Sequence, residues 1–129
     1  MDMKVEDAMS RGTLSCRSET PLRTVARMMS EHSVHSVVVT DLDGVSERAW
    51  GVVTDIDVVA AAGEDVDERT AGQIAATELL TVAPSESLDH AAQLMTEHQV
   101  THLVVVDRGD DHPLGVLSTL DITGVLAAD

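Results

Sequence analysis

The chain contains an internal repeat that covers almost its whole length. Residues of the same type recur 66 positions apart, and the offset falls to 64 near the end of each copy because the first copy has two more residues within 42–49. A period this long indicates a duplicated supersecondary unit, so the fold must consist of two similar halves. The matched pairs include Leu22 and Leu88, Ala26 and Ala92, Met29 and Met95, His32 and His98, Val34 and Val100, and Asp41 and Asp107.

Each copy predicts the same order of elements: strand, helix, strand, strand, helix. A brief strand at 14–16 precedes a helix whose apolar residues Leu22, Val25 and Met29 recur at helical spacing. Near-continuous valines at 36–40 and 102–106 predict strands that are buried on both faces. We therefore predict a first repeat at 1–62, an acidic linker at 63–70 and a second repeat at 71–129.

The last strand of each copy leads into a short polar motif. Thr54-x-x-Asp57 follows Gly51 and two valines, and Ser118-x-x-Asp121 follows Gly115 in the same way. A strand that turns into a helix here puts the hydroxyl and the carboxylate beside free backbone N–H groups, which makes a polar cradle for a small ligand. The same pattern also fits a capping box with no ligand, which the helix dipole stabilises by roughly 0.3–1 kcal/mol. The residues alone leave both interpretations open.

Composition excludes several classes of function. The chain has 129 residues, a net charge of −15, one tryptophan and no tyrosine or phenylalanine. Such an acidic surface repels nucleic acid and anionic membranes, and no apolar run reaches the length of a membrane span.

Cys16 is the only cysteine, so we expect a small buried hydrophobe in a reducing compartment. With no apolar leader at the N-terminus, we expect a cytoplasmic protein. The acidic surface is also compatible with salt adaptation of the source.

The histidines do not form a regular metal-binding pattern. His32 and His35 are three residues apart, and His98 and His102 are four apart, but each pair spans a predicted helix end and strand start. A helical zinc site needs both ligands on one continuous face, so we expect no metal. No arrangement of nucleophile, base and acid stands out either, and we expect a protein that is not an enzyme.

The repeat, the element order and the closing motif together resemble a tandem pair of cystathionine-beta-synthase (CBS) domains, also called a Bateman module. Each copy also carries a matching Val-x-x-apolar-Val-Val-x-Asp block, at 34–41 and 100–107. The resemblance covers about residues 5–127 and implies an α/β fold of α+β type, with two β-α-β-β-α repeats related by pseudo-twofold symmetry and two clefts between the halves.

By resemblance, these clefts hold adenosine-type ligands: AMP, ADP, ATP or S-adenosylmethionine. The family pattern assigns the ribose hydroxyls to Asp57 and Asp121, and the approach to the phosphate to Thr54 and Ser118. It assigns the base to backbone and apolar groups around the first strand and before the central strand. The residues of this third group are Ser15, Cys16, Val34, His35 and Ser36 in the first repeat, and Thr81, Val82, Val100, Thr101 and His102 in the second.

Two departures from the family pattern affect these expectations. Many relatives have proline at the positions of Val38 and Val104, where this chain keeps a backbone donor. Many also have arginine where this chain has Ile56 and Leu120, which argues against tight binding of several phosphates.

The resemblance implies a stand-alone regulatory module that requires no cofactor, forms a homodimer through its helices and signals to an effector protein that the sequence does not name. The small or apolar residues Ala26, Ala92 and Met95 are the predicted dimer contacts. The alternative is an interaction or dimerisation module that binds no ligand. A rise in melting temperature with adenine ligands distinguishes the two.

Overall fold

Two separate groups of buried side chains form the cores of this chain, and each belongs to its own structural unit. The structure is a computed structural model that describes residues 2–43, 46–75 and 79–128. For Asp43 and Ser46 it describes the backbone alone. One unit comprises residues 14–79, and the other comprises residues 80–129 together with 1–13. We call them the 14–79 unit and the 80–129 unit. The elements in chain order are α1 (Val5–Ala8), β1 (Ser10–Arg11), β2 (Ser15–Cys16), α2 (Leu22–His32), β3 (Ser36–Asp43), β4 (Ser46–Thr54), α3 (Asp55–Ala60), α4 (Ala71–Ile74), β5 (Thr81–Val82), α5 (Leu88–His98), β6 (His102–Val106), β7 (Pro113–Ser118) and α6 (Thr119–Ala128).

The 14–79 unit contains a three-stranded sheet in the order β2-β3-β4. Strand β2 runs parallel to β3, and β3 runs antiparallel to β4. Helix α2 begins after its N-cap Pro21, which has extended backbone, and its C-cap Ser33 has the left-handed conformation with φ 53°. Its apolar stripe of Leu22, Val25 and Met29 is buried in the core of this unit.

The 80–129 unit contains a four-stranded sheet in the order β1-β7-β6-β5. The order β5-β6-β7 repeats β2-β3-β4, with a register shift after Val105 that corresponds to the one after Val39. Strand β1 is an addition that the sequence did not predict, and Arg11 pairs with Gly115 there. A Cβ at Gly115 would collide with the backbone carbonyl of Ser10, so this strand pairing requires glycine. The corresponding segment of the second repeat, at 76–77, lies outside the described residues.

The short helices α1 and α4 begin the two repeats but do not pack with the rest of their own repeat. Val5 of α1 is fully buried in the core of the 80–129 unit, and Ala71 of α4 is fully buried in the core of the 14–79 unit. Backbone bonds hold each helix in place, from Val5 N–H to the Glu86 carbonyl and from Ala71 N–H to the Thr20 carbonyl. Each unit is therefore assembled from segments of both sequence repeats.

The predicted order of elements and the mixed α/β class are confirmed, with a short helix added at the start of each repeat and β1 added to one sheet. The predicted burial of the valine strands on both faces is also confirmed, because Val37, Val38 and Val39 have 0% exposure. The suggested dimer contact at Met95 is wrong, because this side chain is only 4% exposed and packs in the core of its own unit. No helix among the described residues is both long and apolar enough to span a bilayer.

Candidate functional site

The polar motif of the 14–79 unit forms a complete capping box. The Thr54 N–H and the Thr54 hydroxyl both donate to Asp57 Oδ2, at 2.9 and 3.0 Å, and the Asp57 N–H donates to Thr54 Oγ1 at 3.3 Å. The box forms because β4 ends in extended backbone at Thr54 and the chain turns directly into α3. The capping role that the sequence left open is therefore real.

The 80–129 unit repeats this arrangement at the start of α6. The Ser118 N–H donates to Asp121 Oδ2 at 2.9 Å, and the Asp121 N–H donates to Ser118 Oγ at 3.2 Å. In both boxes the cap occupies only one carboxylate oxygen. Within the described part of the chain, Oδ1 of Asp57 and Oδ1 of Asp121 accept no hydrogen bond. Both residues are half-buried, and in each box one carboxylate oxygen is not used by the cap.

Backbone contacts bring the predicted base-binding segments next to these boxes. The Asp55 N–H donates to the His35 carbonyl and the Thr119 N–H donates to the Thr101 carbonyl, each at 3.0 Å. The strand registers pair Ser36 with Thr54 in one unit, and His102 with Ser118 in the other. Each unit therefore gathers the motif and the segment before its central strand at one end of the sheet.

The predicted residues of the first strands lie one strand further away. Ser15 pairs with Val38, and Thr81 pairs with Val104. Cys16 and Val82 belong to the two cores, so their side chains do not face a ligand and only their backbone atoms remain candidates. Burial raises the pKa of the Cys16 thiol, against a smaller opposing effect of a hydrogen bond with Thr20. The expectation of a small buried hydrophobe at this position is confirmed.

The two sites differ in the side chains that flank the boxes. In the 14–79 unit, His35 Nδ1 lies 2.9 Å from Asp55 Oδ2, and Asp55 Oδ1 accepts a hydrogen bond from the Ile56 N–H. In the 80–129 unit, the positions of His35 and Asp55 hold Thr101 and Thr119. Asp55 was not among the site residues predicted from the sequence. Its position directly after Thr54 in the motif could have identified it as a candidate.

An open cavity adjoins each motif aspartate on the side of a short helix. In the 14–79 unit its volume is about 240 Å³, and in the 80–129 unit it is about 490 Å³. Each cavity contains the motif aspartate and one additional acid, which are Asp57 with Glu64 and Asp121 with Asp7. Of all predicted contacts, only the two motif aspartates line these cavities. The described residues include no group of three or more histidine, cysteine, aspartate or glutamate side chains arranged to hold a metal ion.

Comparison with known proteins relates this geometry to a family. The sequence profile of the CBS domain matches residues 5–64 and 71–128. The chain is 30% identical over 120 residues to hypoxic response protein 1 of Mycobacterium tuberculosis, covering 90% of this chain and 80% of that protein. It is 29% identical over 109 residues to the CBS domain-containing protein YhcV of Bacillus subtilis, covering 82% and 74%. It is also 31% identical over 126 residues to homoserine O-acetyltransferase of Methanocorpusculum labreanum, covering 96% of this chain but 25% of that enzyme.

Solved structures share the fold. The CBS domain pair of protein MJ0100, solved with 5'-methylthioadenosine and S-adenosyl-L-methionine, has a TM-score of 0.87 at 20% identity and covers 99% of this chain and 98% of that chain. Hypoxic response protein I, solved with two coordinated zinc ions, has a TM-score of 0.77 at 26% identity and covers 95% and 98%. Since the family profile matches both repeats and the fold is that of solved CBS domain pairs, this chain belongs to the CBS domain family and carries two copies of the domain.

Proposed function

We propose that this protein is a regulatory module that binds one adenosine-type ligand at each capping box and transmits the bound state to a partner protein. The observation that carries the proposal is the carboxylate oxygen that the cap does not use in each box, which is Oδ1 of Asp57 in one and Oδ1 of Asp121 in the other. A carboxylate oxygen that the cap does not use is available to the cis-diol of a ribose. The ligand class is supported by the two adenosine derivatives in the structure of the MJ0100 domain pair.

The other predicted residues have complementary roles in this proposal. Thr54 and Ser118 offer hydroxyl groups to the first atoms beyond the ribose. Backbone groups at Ser15, Cys16, Thr81 and Val82, and the segments at 34–36 and 100–102, hold the base. Ile56 and Leu120 are 72% and 69% exposed and bring no positive charge to the phosphates. We therefore expect AMP and S-adenosylmethionine to bind at least as well as metal-free ATP.

Calorimetric titration of the intact protein with adenosine, AMP, ATP and S-adenosylmethionine tests the proposal. Asp57→Asn and Asp121→Asn should each remove binding at one site, and the double variant should bind none of the four ligands. Asp89→Asn is the matched control, because Asp89 is an acid in the first turn of α5, outside both sites. Ligand binding by the double variant that equals wild type would leave these aspartates with a capping role alone.

Transmission of a bound state requires contact with another chain, and we also propose a homodimer. Ile56 and Val59 on α3 and Leu120 and Leu126 on α6 are all more than half exposed. Burial of such side chains stabilises an interface, typically by about 1.5–3 kcal/mol for a side chain that becomes fully buried. Light scattering at tens of micromolar should give twice the mass of the 13.7 kDa chain. A monomer at that concentration would leave the ligand-binding proposal intact and remove the dimer.

A further inference from the structure

The two proposed sites carry different charges at corresponding positions. The acids that line the cavities balance between the units, since each cavity has its motif aspartate and one further carboxylate. The positions that flank the boxes do not balance. The 14–79 unit has Asp55 and His35 where the 80–129 unit has two threonines, Thr119 and Thr101. The 80–129 unit also has His102 in place of Ser36, but of all these flanking positions only that of Asp55 holds a carboxylate.

The Asp55 carboxylate is held in a defined position beside its box. Its Oδ2 lies 2.9 Å from His35 Nδ1, and its Oδ1 accepts from the Ile56 N–H at 2.9 Å. Asp55 follows Thr54 in the chain, and the backbone bond from Asp55 N–H to the His35 carbonyl ties this turn to the start of β3. Because Asp55 is the chain neighbour of Thr54, its negative charge lies within about 10 Å of the Thr54 hydroxyl and repels an anionic group held there, and over such a separation salt screens the repulsion only partly.

Resting on the proposed function, we propose that Asp55, positioned by His35, is a specificity-determining residue that makes the site of the 14–79 unit selective for adenosine ligands without a 5' phosphate. Ligands of this class are uncharged or cationic beyond the ribose. The site of the 80–129 unit, with Thr101 and Thr119 in the same positions, accepts a 5' phosphate. The two sites of one chain therefore distinguish a nucleoside from its nucleotide.

The test compares adenosine with AMP, which differ only by the phosphate, at each site separately. Asp121→Asn isolates the site of the 14–79 unit, and Asp57→Asn isolates that of the 80–129 unit. Calorimetric titrations at pH 8 with EDTA, where histidine side chains are ordinarily uncharged and no metal bridges the phosphate, give the ratio of the AMP Kd to the adenosine Kd. We expect this ratio to be at least threefold higher in the Asp121→Asn background.

Asp55→Asn removes the charge and keeps the shape, so in the Asp121→Asn background it should lower the ratio at least threefold while the adenosine Kd changes less than twofold. The double exchange His35→Thr with Asp55→Thr should also lower the ratio. The reciprocal exchange, Thr101→His with Thr119→Asp in the Asp57→Asn background, should raise the ratio. Thermal unfolding of each variant without ligand controls for folding, and Asp55→Asn serves as the readout if the double exchange is unstable.

Two outcomes overturn the inference, and they separate it from the proposed function. If adenosine binds in both backgrounds but Asp55→Asn leaves the ratio within twofold of its parent, the selectivity assigned to Asp55 is wrong and the binding sites stand. If neither adenosine nor AMP binds the intact protein, the proposed function fails and the inference fails with it.

Discussion

The two units contain the same polar box but continue from it in different ways. Both boxes join a hydroxyl and an aspartate through the same N–H contacts. After the box, α3 runs for six residues and α6 for ten. Ala60 on α3 has Gly124 as its counterpart on α6, and the adjoining cavity grows from about 240 to about 490 Å³.

This contrast separates the features that local sequence controls from those that packing controls. The box needs only four consecutive residues, so both repeats form it whatever the length of the helix after it. The cavity depends on the size of helix side chains and on a short helix from elsewhere in the chain, α4 in one unit and α1 in the other. Two sites with one chemical motif can therefore differ in the space and the charge around it.

The largest expected effect comes from matched truncations in the two cores. Leu22 and Leu88 are repeat partners, and both are fully buried. Leu→Ala at either position removes buried apolar contacts and leaves a cavity, so each should lower the free energy of unfolding by about 3 kcal/mol. Urea denaturation measures both. Costs that differ by more than about 1.5 kcal/mol would show that the two cores are not equivalent.

A smaller loss is expected where β1 crosses the 80–129 unit. Gly115→Ala places a methyl group against the backbone carbonyl of Ser10, which cannot move aside as a flexible side chain would. Overpacking of this kind costs about 2 kcal/mol. Gly63→Ala is the control, because a Cβ at Gly63 meets nothing within 4 Å, and its effect should stay within about 0.5 kcal/mol. Equal stability of the two variants by urea denaturation would contradict the close approach of β1.

Gly124→Ala should stabilise the protein and make α6 more like α3. Gly124 lies inside α6 with nothing within 4 Å of an added Cβ, and alanine in a helix interior is favoured over glycine by about 1 kcal/mol. Thermal unfolding should show a higher Tm. The reverse change, Ala60→Gly, should lower the Tm by less, because Ala60 is the last residue of α3. A fall in Tm for Gly124→Ala would indicate that the open space at this position is filled.

The smallest effect concerns an ion pair of the 14–79 unit whose arginine is replaced by an acid at the equivalent position of the 80–129 unit. Arg23 donates to Asp67 through Nε at 2.6 Å and through a terminal nitrogen at 3.1 Å, whereas the repeat partner of Arg23 is Asp89. The hydrogen bond from Arg23 lowers the pKa of Asp67 below its usual 3.8. The contribution to stability is therefore present above pH 3.8 and is lost as the pH falls through the lowered folded-state pKa.

Urea denaturation of wild type and Asp67→Asn from about pH 7 to about pH 2.5 measures this contribution. The gap in unfolding free energy should be small and constant above about pH 5, and it should shrink in more acidic solution. Because both side chains are exposed, added salt should also reduce the gap. A gap that widens on acidification would contradict the assigned direction.

Much of the fold follows from patterns within each repeat. The helical spacing of Leu22, Val25 and Met29 predicted α2, and the valine run at 36–40 predicted a central strand buried on both faces. These predictions succeed because the spacing of apolar residues along the chain indicates the type of element that can bury them together. The repeat boundaries at 62–63 and 70–71 stay predictions from sequence, since the compact units draw on both repeats.

The candidate site was predictable in part for the same reason. A hydroxyl followed three residues later by an acid implies a capping box, and both boxes formed with the predicted residues. Whether the predicted residues contact a ligand stays a proposal. The pattern did not indicate that the box uses one carboxylate oxygen and leaves the other, because that depends on side-chain geometry at the turn.

The sequence by itself determined the order of elements, the strands buried on both faces and the two boxes, since each depends on residues close together in the chain. Only the tertiary structure decided that α1 packs with the second repeat and α4 with the first. It also decided that Ser10–Arg11 pairs with β7 beside Gly115. The same holds for the cavities, where Asp7 and Glu64 join the motif aspartates. The physical reason is that these contacts join segments far apart in the chain. Whether two distant segments pack together depends on the shape and volume of both. The spacing of apolar residues within one segment contains no information about the other segment.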